Sequence, residues 1–405
     1  MVRVLFAAGG GTSLFYPLVP LAWAFRAAGH EVLLVGKPQA TEWLTHTGLP
    51  VKTLGGPPKL SAEATEVFLA ENYIQPPWLA DWPTHPESLA PEQTSVLERL
   101  GRYAIAVADG IADDLVAFTR QWRPDVIIHD ELALSAAVAG TLLGVPCVRH
   151  SHGTQDAFRM EYRITDNEPL PEYIAMFQRF GAEPPVGTPR YVDTMPPSMY
   201  IGAERPGIEM RYVPYNGSGA LPDGLTGSRS RPRVCVTWGV SLAGLFGSTA
   251  GDPYRDAVAA IAATGVEVLV LVADLAPSEG VDLSGVRYLV NTPLSLVLPY
   301  CDAIMHHGGD GTAMAAACLA VPQLIIPREP LDDQMSGRFV QTGVAIHLVH
   351  QQLEHDSGGG QIQDALKALL TEPGYAAAAS RLRDEIERQP SPADVVATIA
   401  ALSAV

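Results

Sequence analysis

Short apolar runs alternate with amphipathic stretches along the first part of the chain. An apolar run at 2–8 is followed by a glycine-rich turn and then by residues 18–29, where apolar side chains recur at helical spacing and Gly29 is placed to end the helix. A second apolar run follows at 31–36. Short runs that are apolar on both faces are typical of parallel strands covered by helices, so the pattern predicts a strand–helix–strand unit.

The same alternation continues as far as residue 151. It predicts strands at 125–130 and 145–151, with a helix over 132–143 between them. Residues 55–95 differ, because they are rich in Pro, Trp and Glu and lack a sustained apolar period. Such a composition indicates loops and short helices, which we expect to lie over a cleft.

A segment rich in Gly, Ser and Pro at 214–232 divides the chain into two halves and is typical of a linker. The strand–helix alternation then resumes, with strands at 233–239, 266–273, 287–291, 303–309 and 322–327 and helices over 252–264 and from 311. The predicted fold is therefore α/β, with two Rossmann-like domains that face each other across a cleft. Such a pair binds ligands in that cleft, at the carboxyl ends of the strands.

Composition narrows the classes of function. The formal net charge of −17 argues against a nucleic-acid-binding protein and requires a local positive site for any anionic ligand. No apolar run approaches the roughly 18–20 residues of a membrane span, and the first run lacks the pattern of a cleaved signal peptide. We therefore expect a cytoplasmic protein without a membrane span. Four cysteines in apolar contexts predict reduced, buried thiols: Cys147, Cys235, Cys301 and Cys318.

One segment concentrates candidate chemistry. A strand at 303–305 leads into His306-His307-Gly308-Gly309-Asp310-Gly311-Thr312 and then into an alanine-rich helix. Glycines let the backbone approach a ligand, and the N–H groups and dipole of a helix start bind phosphate oxygens. The Thr312 hydroxyl and the His306 imidazole can add further donors. The structural alternative is a glycine-rich turn with surface histidines.

A second polar cluster, Asp332-Asp333-Gln334, follows the next predicted strand. A carboxylate and an amide can hydrogen-bond adjacent sugar hydroxyls, although a triplet of this kind often only begins a helix. The order HHGGDGT, VPQLIIP, DDQ resembles the donor signature of family 1 glycosyltransferases with the GT-B fold. In particular, it resembles bacterial enzymes that attach deoxysugars to macrolide, enediyne and aromatic polyketide natural products. The resemblance extends through LVPLAWAFRAAGHEV, WRPDVII, RYVPYNGSGA and SPADVV.

This resemblance implies an inverting glycosyltransferase of antibiotic biosynthesis. It would move a deoxysugar from a dTDP-sugar to a hydrophobic aglycone through an O- or C-glycosidic bond, with no metal and no cofactor besides the donor. The implied organisation is an acceptor-binding domain at 1–213, the linker at 214–232 acting as a hinge, a donor-binding domain at 233–385 and a C-terminal helix at 386–405 that crosses back to the first domain. An auxiliary activator protein and a homodimer remain open.

The resemblance also implies donor contacts by position. His306 would bind the diphosphate in place of a cation, and Asp333 and Gln334 would hold sugar hydroxyls. The family's GWTP-like segment, whose aromatic ring stacks on the base, reads VNTP here, so the aromatic is missing. The complete predicted donor set is Gly239, Val240, Asn291, His306, Gly308, Gly309, Gly311, Thr312, Asp333 and Gln334.

The general base is harder to assign. Many members carry it as a histidine in the first loop, within a pattern like SHLFPL, whereas this chain has Leu14 at that position. The loop after strand 145–151 offers His150 and His152, and His152 with Asp156 as its orienting carboxylate forms the candidate pair. The alternatives are an acceptor that needs little activation, including a ring carbon, and a non-catalytic auxiliary protein that binds sugar nucleotides.

The predicted acceptor contacts are Ser13, Leu14, Trp78, Trp82 and Asp130. The two tryptophans could wall an apolar pocket or pack inside surface loops. Asp130 could contact the acceptor or cap the helix that follows it.

Two other enzyme classes fit the sequence poorly. A nicotinamide-dependent oxidoreductase is disfavoured because the first turn, AAGGGTSLF, lacks GxGxxG in register and Gly36-Lys37 end the second strand without an acidic residue. A hydrolase is disfavoured because GSG at 217–219 lies in the linker rather than in a nucleophile elbow.

Overall fold

The computed structural model describes most of the chain. It covers residues 1–56, 82, 85–151, 159–187, 189–200, 207–238, 253–273, 285–327, 330–349, 353 and 359–404, with the backbone alone at 253–255, 330–334 and 404. The described strands form two separate parallel sheets, as the sequence predicts.

The first sheet has seven strands in the order β3-β2-β1-β4-β5-β6-β7. The strands are β1 (Arg3–Ala7), β2 (Glu31–Gly36), β3 (Val51–Thr53), β4 (Val126–His129), β5 (Cys147–His150), β6 (Arg190–Asp193) and β7 (Ile208–Glu209). The helices of this half are α1 (Thr12–Phe15), α2 (Val19–Ala27), α3 (Thr41–Thr45), α4 (Pro91–Trp122), α5 (Ser135–Leu143) and α6 (Pro171–Gln178). Single 3₁₀ turns lie at Tyr16–Leu18, Pro38–Ala40, Pro86–Ser88 and Pro197–Met199.

Alternating side chains of β1 build two different cores. Val4 and Phe6 pack into one apolar cluster with α2, whereas Leu5 and Ala7 pack into a second cluster with α4 and α5. Successive strand residues point to opposite faces, so a parallel sheet covered on both faces needs apolar residues at every position. This requirement explains why the apolar run, uninterrupted from residue 4 to residue 8, predicts a strand correctly.

The second sheet has six strands in the order β10-β9-β8-β11-β12-β13. They are β8 (Arg233–Thr237), β9 (Glu267–Val272), β10 (Val286–Val290), β11 (Ala303–His306), β12 (Gln323–Ile325) and β13 (Ala345–His347). The helices are α7 (Pro253–Ala262), α8 (Leu294–Val297), α9 (Asp310–Cys318), α10 (Pro330–Thr342), α11 (Gly360–Thr371), α12 (Pro373–Arg388) and α13 (Pro392–Ala401). Further 3₁₀ turns lie at Leu298–Tyr300 and Leu402–Ala404.

The last helix, α13, packs against α2 of the first half. Val395, Val396 and Ile399 join the apolar cluster that contains Phe25. The helix begins with a capping box in which the Ser391 hydroxyl accepts from a backbone N–H of the first turn. The end of the chain is therefore part of the first core.

Residues 210–232 connect the two sheets without a helix or strand. The Tyr215 ring packs edge-on against Tyr16, with centroids 5.0 Å apart, and the Asn216 Oδ1 accepts a hydrogen bond from the Ser295 backbone N–H at 3.1 Å. The predicted linker thus contacts the first loop of one half and the start of α8 in the other.

Two features differ from the sequence analysis. The 32-residue helix α4 is missing from it, although buried residues of this helix recur at intervals of three and four, at Leu97, Gly101, Ala104, Ala108, Ile111 and Leu115. The prediction of four buried thiols is correct only for Cys235, since the other three cysteines are partly exposed at strand or helix ends.

No helix among the described residues is both long and apolar enough to cross a membrane.

Gly101 allows α4 to lie directly on the segment around Met160. A Cβ added at Gly101 would overlap the Met160 carbonyl oxygen, whereas one added at Gly110 of the same helix meets none of the described residues within 4 Å. We expect Gly101→Ala to lower the free energy of unfolding by about 1–3 kcal/mol through overpacking. Gly110→Ala should raise it by up to about 1 kcal/mol, because alanine favours a helix. Urea unfolding measures both, and similar values for the two variants would contradict the packing.

Candidate active site

The carboxyl edge of the second sheet carries the glycine-rich turn. Strand β11 ends at His306, and the chain passes through His307, Gly308 and Gly309 into α9. Gly308 has a φ of +99°, a conformation that only glycine adopts readily. The turn therefore depends on glycine at this position.

His306 is completely buried at the end of β11, between β8 and β12. Its Nδ1 lies 3.1 Å from the Gly308 backbone nitrogen, and its Nε2 lies 2.9 Å from the Gln323 Oε1. The Gly308 N–H can only donate, so Nδ1 accepts and the proton sits on Nε2, which donates to Gln323. Burial lowers the pKa of His306 to about 4, although the hydrogen bond to Gln323 acts in the opposite direction.

This geometry does not favour a direct contact between His306 and the diphosphate, and the predicted contact stays a prediction. Its imidazole is neutral, lies inside the sheet, and has both nitrogens engaged by protein groups. The burial of His306 has a structural cause: the last residue of a central strand is still covered by its neighbours. The residue after it is the first that can reach the edge of the sheet.

His307 is that residue, and it is partly exposed. Its ring lies against the start of α9, since a Cβ added at Gly309 would be 2.5 Å from the His307 Nε2. Within the turn, His307 is thus the imidazole that accompanies the helix N-terminus at the carboxyl edge. Both histidines are visible in the sequence, but the depth of β11 decides between them.

The first turn of α9 supplies the second part of the site. The N–H groups of Thr312 and Ala313 donate to the Gly309 carbonyl, at 3.0 and 3.1 Å, and so begin the helical ladder. The N–H groups of Asp310 and Gly311 precede that ladder, as at any helix start, and the helix dipole is positive here. Such an end attracts an anion. The predicted residues Gly308, Gly309, Gly311 and Thr312 therefore lie together in one turn.

Comparison with known proteins assigns the family. The model of the erythromycin biosynthesis protein CIII-like N-terminal domain matches residues 23–239, and that of the C-terminal domain matches 256–402. The chain is 32% identical to the 10-deoxymethynolide desosaminyltransferase of Streptomyces venezuelae, over 100% of this chain and 97% of that protein. It is 31% identical to the aclacinomycin-T 2-deoxy-L-fucose transferase of Streptomyces galilaeus, over 100% and 96%. The solved structure of glycosyltransferase VinC in complex with dTDP has a TM-score of 0.81 and 29% identity, over 99% of both chains.

The chain belongs to the erythromycin biosynthesis protein CIII-like family. It is a glycosyltransferase with the GT-B fold, so the family, the fold and the enzyme class predicted from the sequence are confirmed.

Asn291 lies at the same carboxyl edge of the glycosyltransferase, directly after β10. It is exposed and has a φ of +45°, a left-handed conformation that asparagine tolerates better than most residues. Three strand spacings separate β10 from β11. Asn291 is therefore roughly 14 Å from the glycine-rich turn, at ~4.8 Å per spacing.

Several predicted residues cannot be placed. Asp333 and Gln334 belong to the first half of α10, which follows β12, but their side chains lie outside the described residues. Five other predicted residues lie outside the described residues with both backbone and side chain: Gly239, Val240, Trp78, His152 and Asp156. Their predicted roles stay predictions.

Asp130 holds two loops of the glycosyltransferase together at the carboxyl edge of the first sheet. Its Oδ2 accepts from the N–H groups of Gly9 and Gly10, at 2.9 and 3.1 Å, and its Oδ1 accepts from Leu132 and Ala133, at 3.0 and 2.9 Å. The residue is only 1% exposed. Burial raises the pKa of Asp130, while the four N–H groups act in the opposite direction. These contacts favour the capping interpretation, because the carboxylate is buried rather than available to an acceptor.

The other described candidates of the first half have different environments. Ser13 is exposed and Leu14 partly exposed on α1, and the Leu14 side chain packs back over Gly10. Trp82 is 1% exposed and packs with Val96 and Leu97. This burial favours the packing alternative for Trp82, and its predicted acceptor contact stays a prediction.

Two further polar residues have no structural role assigned in the sequence analysis. Gln323 is buried in β12 and binds His306, and a glutamine inside the apolar run VPQLIIP is the signal that could have revealed it. Lys37 follows β2, near Asp130. Burial lowers the pKa of this lysine and outweighs the Asp130 carboxylate, which acts in the opposite direction. His150, in contrast, is buried, with its Nδ1 2.9 Å from the Ser151 carbonyl oxygen, and so is poorly placed to act as a base.

Two glycines of the turn give a matched pair of variants. Gly309→Ala would push the His307 ring away, whereas a Cβ at Gly311 would meet the Tyr212 hydroxyl at an ordinary 3.7 Å. We expect Gly309→Ala to weaken dTDP binding about tenfold, the loss of one hydrogen bond to a charged group. Gly311→Ala should stay within about twofold of the unaltered protein, since it disturbs no such bond. Isothermal titration calorimetry with dTDP measures both, and equal losses would argue against the contact between Gly309 and His307.

Proposed function

We propose that the chain transfers a deoxysugar from a dTDP-sugar to a hydrophobic natural-product aglycone, with inversion at the anomeric carbon. The observation that carries the proposal is the pairing of His307 with the start of α9 at the carboxyl edge of the second sheet. A chain with a formal charge of −17 needs such a local site to hold a diphosphate. The names of the two relatives, with desosamine and 2-deoxy-L-fucose as their sugars, support a deoxysugar donor.

The two halves would divide the substrates between them. The domain at 233–385 would bind the donor, with the diphosphate at His307 and the nucleoside extending along the strand ends towards Asn291. The domain at 1–213 would bind the aglycone beside the first loop, near Ser13 and Leu14. The dTDP bound to VinC supports the choice of nucleotide.

The reaction would be a single displacement. A nucleophilic atom of the aglycone attacks the anomeric carbon, the bond from that carbon to the diphosphate oxygen breaks, and dTDP leaves with the electron pair. His307 and the α9 N–H groups stabilise the charge that develops on the leaving oxygen. The proton of the attacking group goes to a base, for which His152 with Asp156 remains our candidate because Leu14 cannot accept it.

Nucleotide selectivity tests the proposal most directly. We would titrate the unaltered protein with dTDP, UDP, GDP and NAD and follow thermal unfolding. A ligand at a hundredfold excess over its Kd stabilises the folded state by ~2.7 kcal/mol, so selective binding of dTDP should raise Tm measurably. Stabilisation by NAD alone, or by none of the four, would refute a dTDP-sugar transferase.

Turnover separates an enzyme from an auxiliary binding protein. A dTDP-deoxysugar mixed with a panel of macrolide and anthracycline aglycones should give a glycoside by mass spectrometry, and nuclear magnetic resonance of the new bond gives its configuration. Retention at the anomeric carbon would contradict the single displacement. Binding of dTDP without any product across the panel would favour the non-catalytic alternative.

A further inference from the structure

Three buried hydrogen bonds connect β12 to the glycine-rich turn. The Gln323 side-chain nitrogen donates to the Ala313 carbonyl of α9 at 3.2 Å, and its Oε1 accepts from the His306 Nε2 at 2.9 Å. The His306 Nδ1 then accepts from the Gly308 N–H at 3.1 Å. The chain of bonds thus begins on the helix that starts the anion site and ends on the glycine that shapes its loop.

We propose that His306 and Gln323 are positioning residues for the donor diphosphate, acting through Gly308. In this arrangement the imidazole accepts the Gly308 N–H and so fixes the turn with its φ of +99°. That turn carries His307 and leads directly into the first N–H groups of α9. The inference rests on the proposed function, since it assumes that the nucleotide diphosphate binds at this turn.

The orientation of Gln323 sets the tautomer of His306. The amide nitrogen of Gln323 is committed to the Ala313 carbonyl, so its oxygen faces the imidazole and requires a proton on Nε2. Nδ1 is then left as an acceptor, the only role that suits the Gly308 N–H. A protonated imidazole would place two donors face to face and break the turn.

The surroundings of His306 favour the neutral form. The residue aligned with it on β8 is Thr237, and the one on β12 is Ile325. The titratable ring of His307 lies with its centroid 6.5 Å from that of His306, and Asp310 is the acidic residue in the first turn of α9. Burial lowers the pKa of His306, outweighs the opposing hydrogen bond with Gln323 and keeps the imidazole uncharged at neutral pH.

Two substitutions of His306 separate the roles of its two nitrogens. An asparagine oxygen takes the place of Nδ1 and can still accept the Gly308 N–H, whereas a glutamine nitrogen takes the place of Nε2 and can only reach Gln323. We expect His306→Asn to retain dTDP affinity within about threefold and His306→Gln to lose about tenfold, the effect of one lost hydrogen bond. Calorimetry should therefore show a higher dTDP affinity for His306→Asn than for His306→Gln, although asparagine is the smaller side chain.

Thymidine is the matched control ligand, because it carries the base and sugar without the diphosphate. His306→Gln should change thymidine affinity by less than about twofold, since no bond to the diphosphate is involved. Gln323→Met, which removes only the far end of the chain of bonds, provides a second variant and should also lose dTDP affinity selectively. These variants alter the diphosphate contact without a general loss of the nucleoside site.

Each outcome has a distinct meaning. Equal dTDP affinities for the two His306 variants, or equal losses for dTDP and thymidine, would show a role in core packing alone and overturn the proposal. If His306→Gln retains dTDP affinity and His306→Asn loses it, the important contact is the one made by Nε2. That result would also overturn the proposal. If the unaltered protein does not bind dTDP, the proposed function fails and the positioning role fails with it.

Discussion

His307→Ala is expected to weaken dTDP binding by about tenfold to a hundredfold. A hydrogen bond to a charged group contributes ~1.5–3 kcal/mol, and this imidazole is the side chain that lies over the start of α9. The loss in kcat should be larger, about 10²–10³-fold, because the leaving diphosphate gains charge in the transition state and a preorganised donor matters most there.

Calorimetry with dTDP and initial rates with a dTDP-sugar measure the two effects separately. His46→Ala is a matched control, since this exposed histidine follows α3 in the other half of the chain. It should leave both quantities unchanged. Unaltered dTDP affinity and rate in His307→Ala would remove this histidine from the site, and with it the main support for the proposed donor position.

Asp130→Ala is expected to lower the free energy of unfolding by about 3–5 kcal/mol, because four backbone N–H groups lose the buried carboxylate that accepts from them. Asp130→Asn should recover little of this stability. Each carboxylate oxygen accepts two N–H groups, and an amide nitrogen in place of either oxygen would oppose two donors. The asparagine variant therefore tests the geometry and not only the volume of the side chain.

Urea unfolding followed by circular dichroism gives these values. Asp125→Ala is the control, since among the described residues this partly exposed carboxylate accepts from the Arg3 backbone N–H alone, at 2.7 Å, and its loss should cost about 1 kcal/mol or less. A loss for Asp130→Ala no larger than for Asp125→Ala would show that water replaces the carboxylate. The first loop, which begins at Gly9, would then not depend on Asp130.

The sequence predicted the buried strands correctly, because burial on both faces of a sheet itself requires a run of apolar residues. The strands at 31–36 and 266–273 are buried on both faces, so their apolar runs identify them. Strand β7 has only two residues at the edge of its sheet, and its existence depends on pairing with β6 rather than on its own composition. Helix α4, in contrast, was not predicted although its apolar period is present in the sequence.

The sequence by itself determined the two-sheet α/β fold, the family and the glycine-rich turn as the candidate donor site. These follow from apolar runs and from residues adjacent in the chain. Only the tertiary structure decided which histidine reaches the edge, because His306 is covered by strands β8 and β12 and His307 is not. It also placed Asp130 and Trp82: the Asp130 carboxylate accepts from the Gly9 N–H 121 positions away, and the Trp82 indole packs against Val96 and Leu97 of helix α4. Burial and long-range hydrogen bonds depend on residues that fold together, and no local pattern records them.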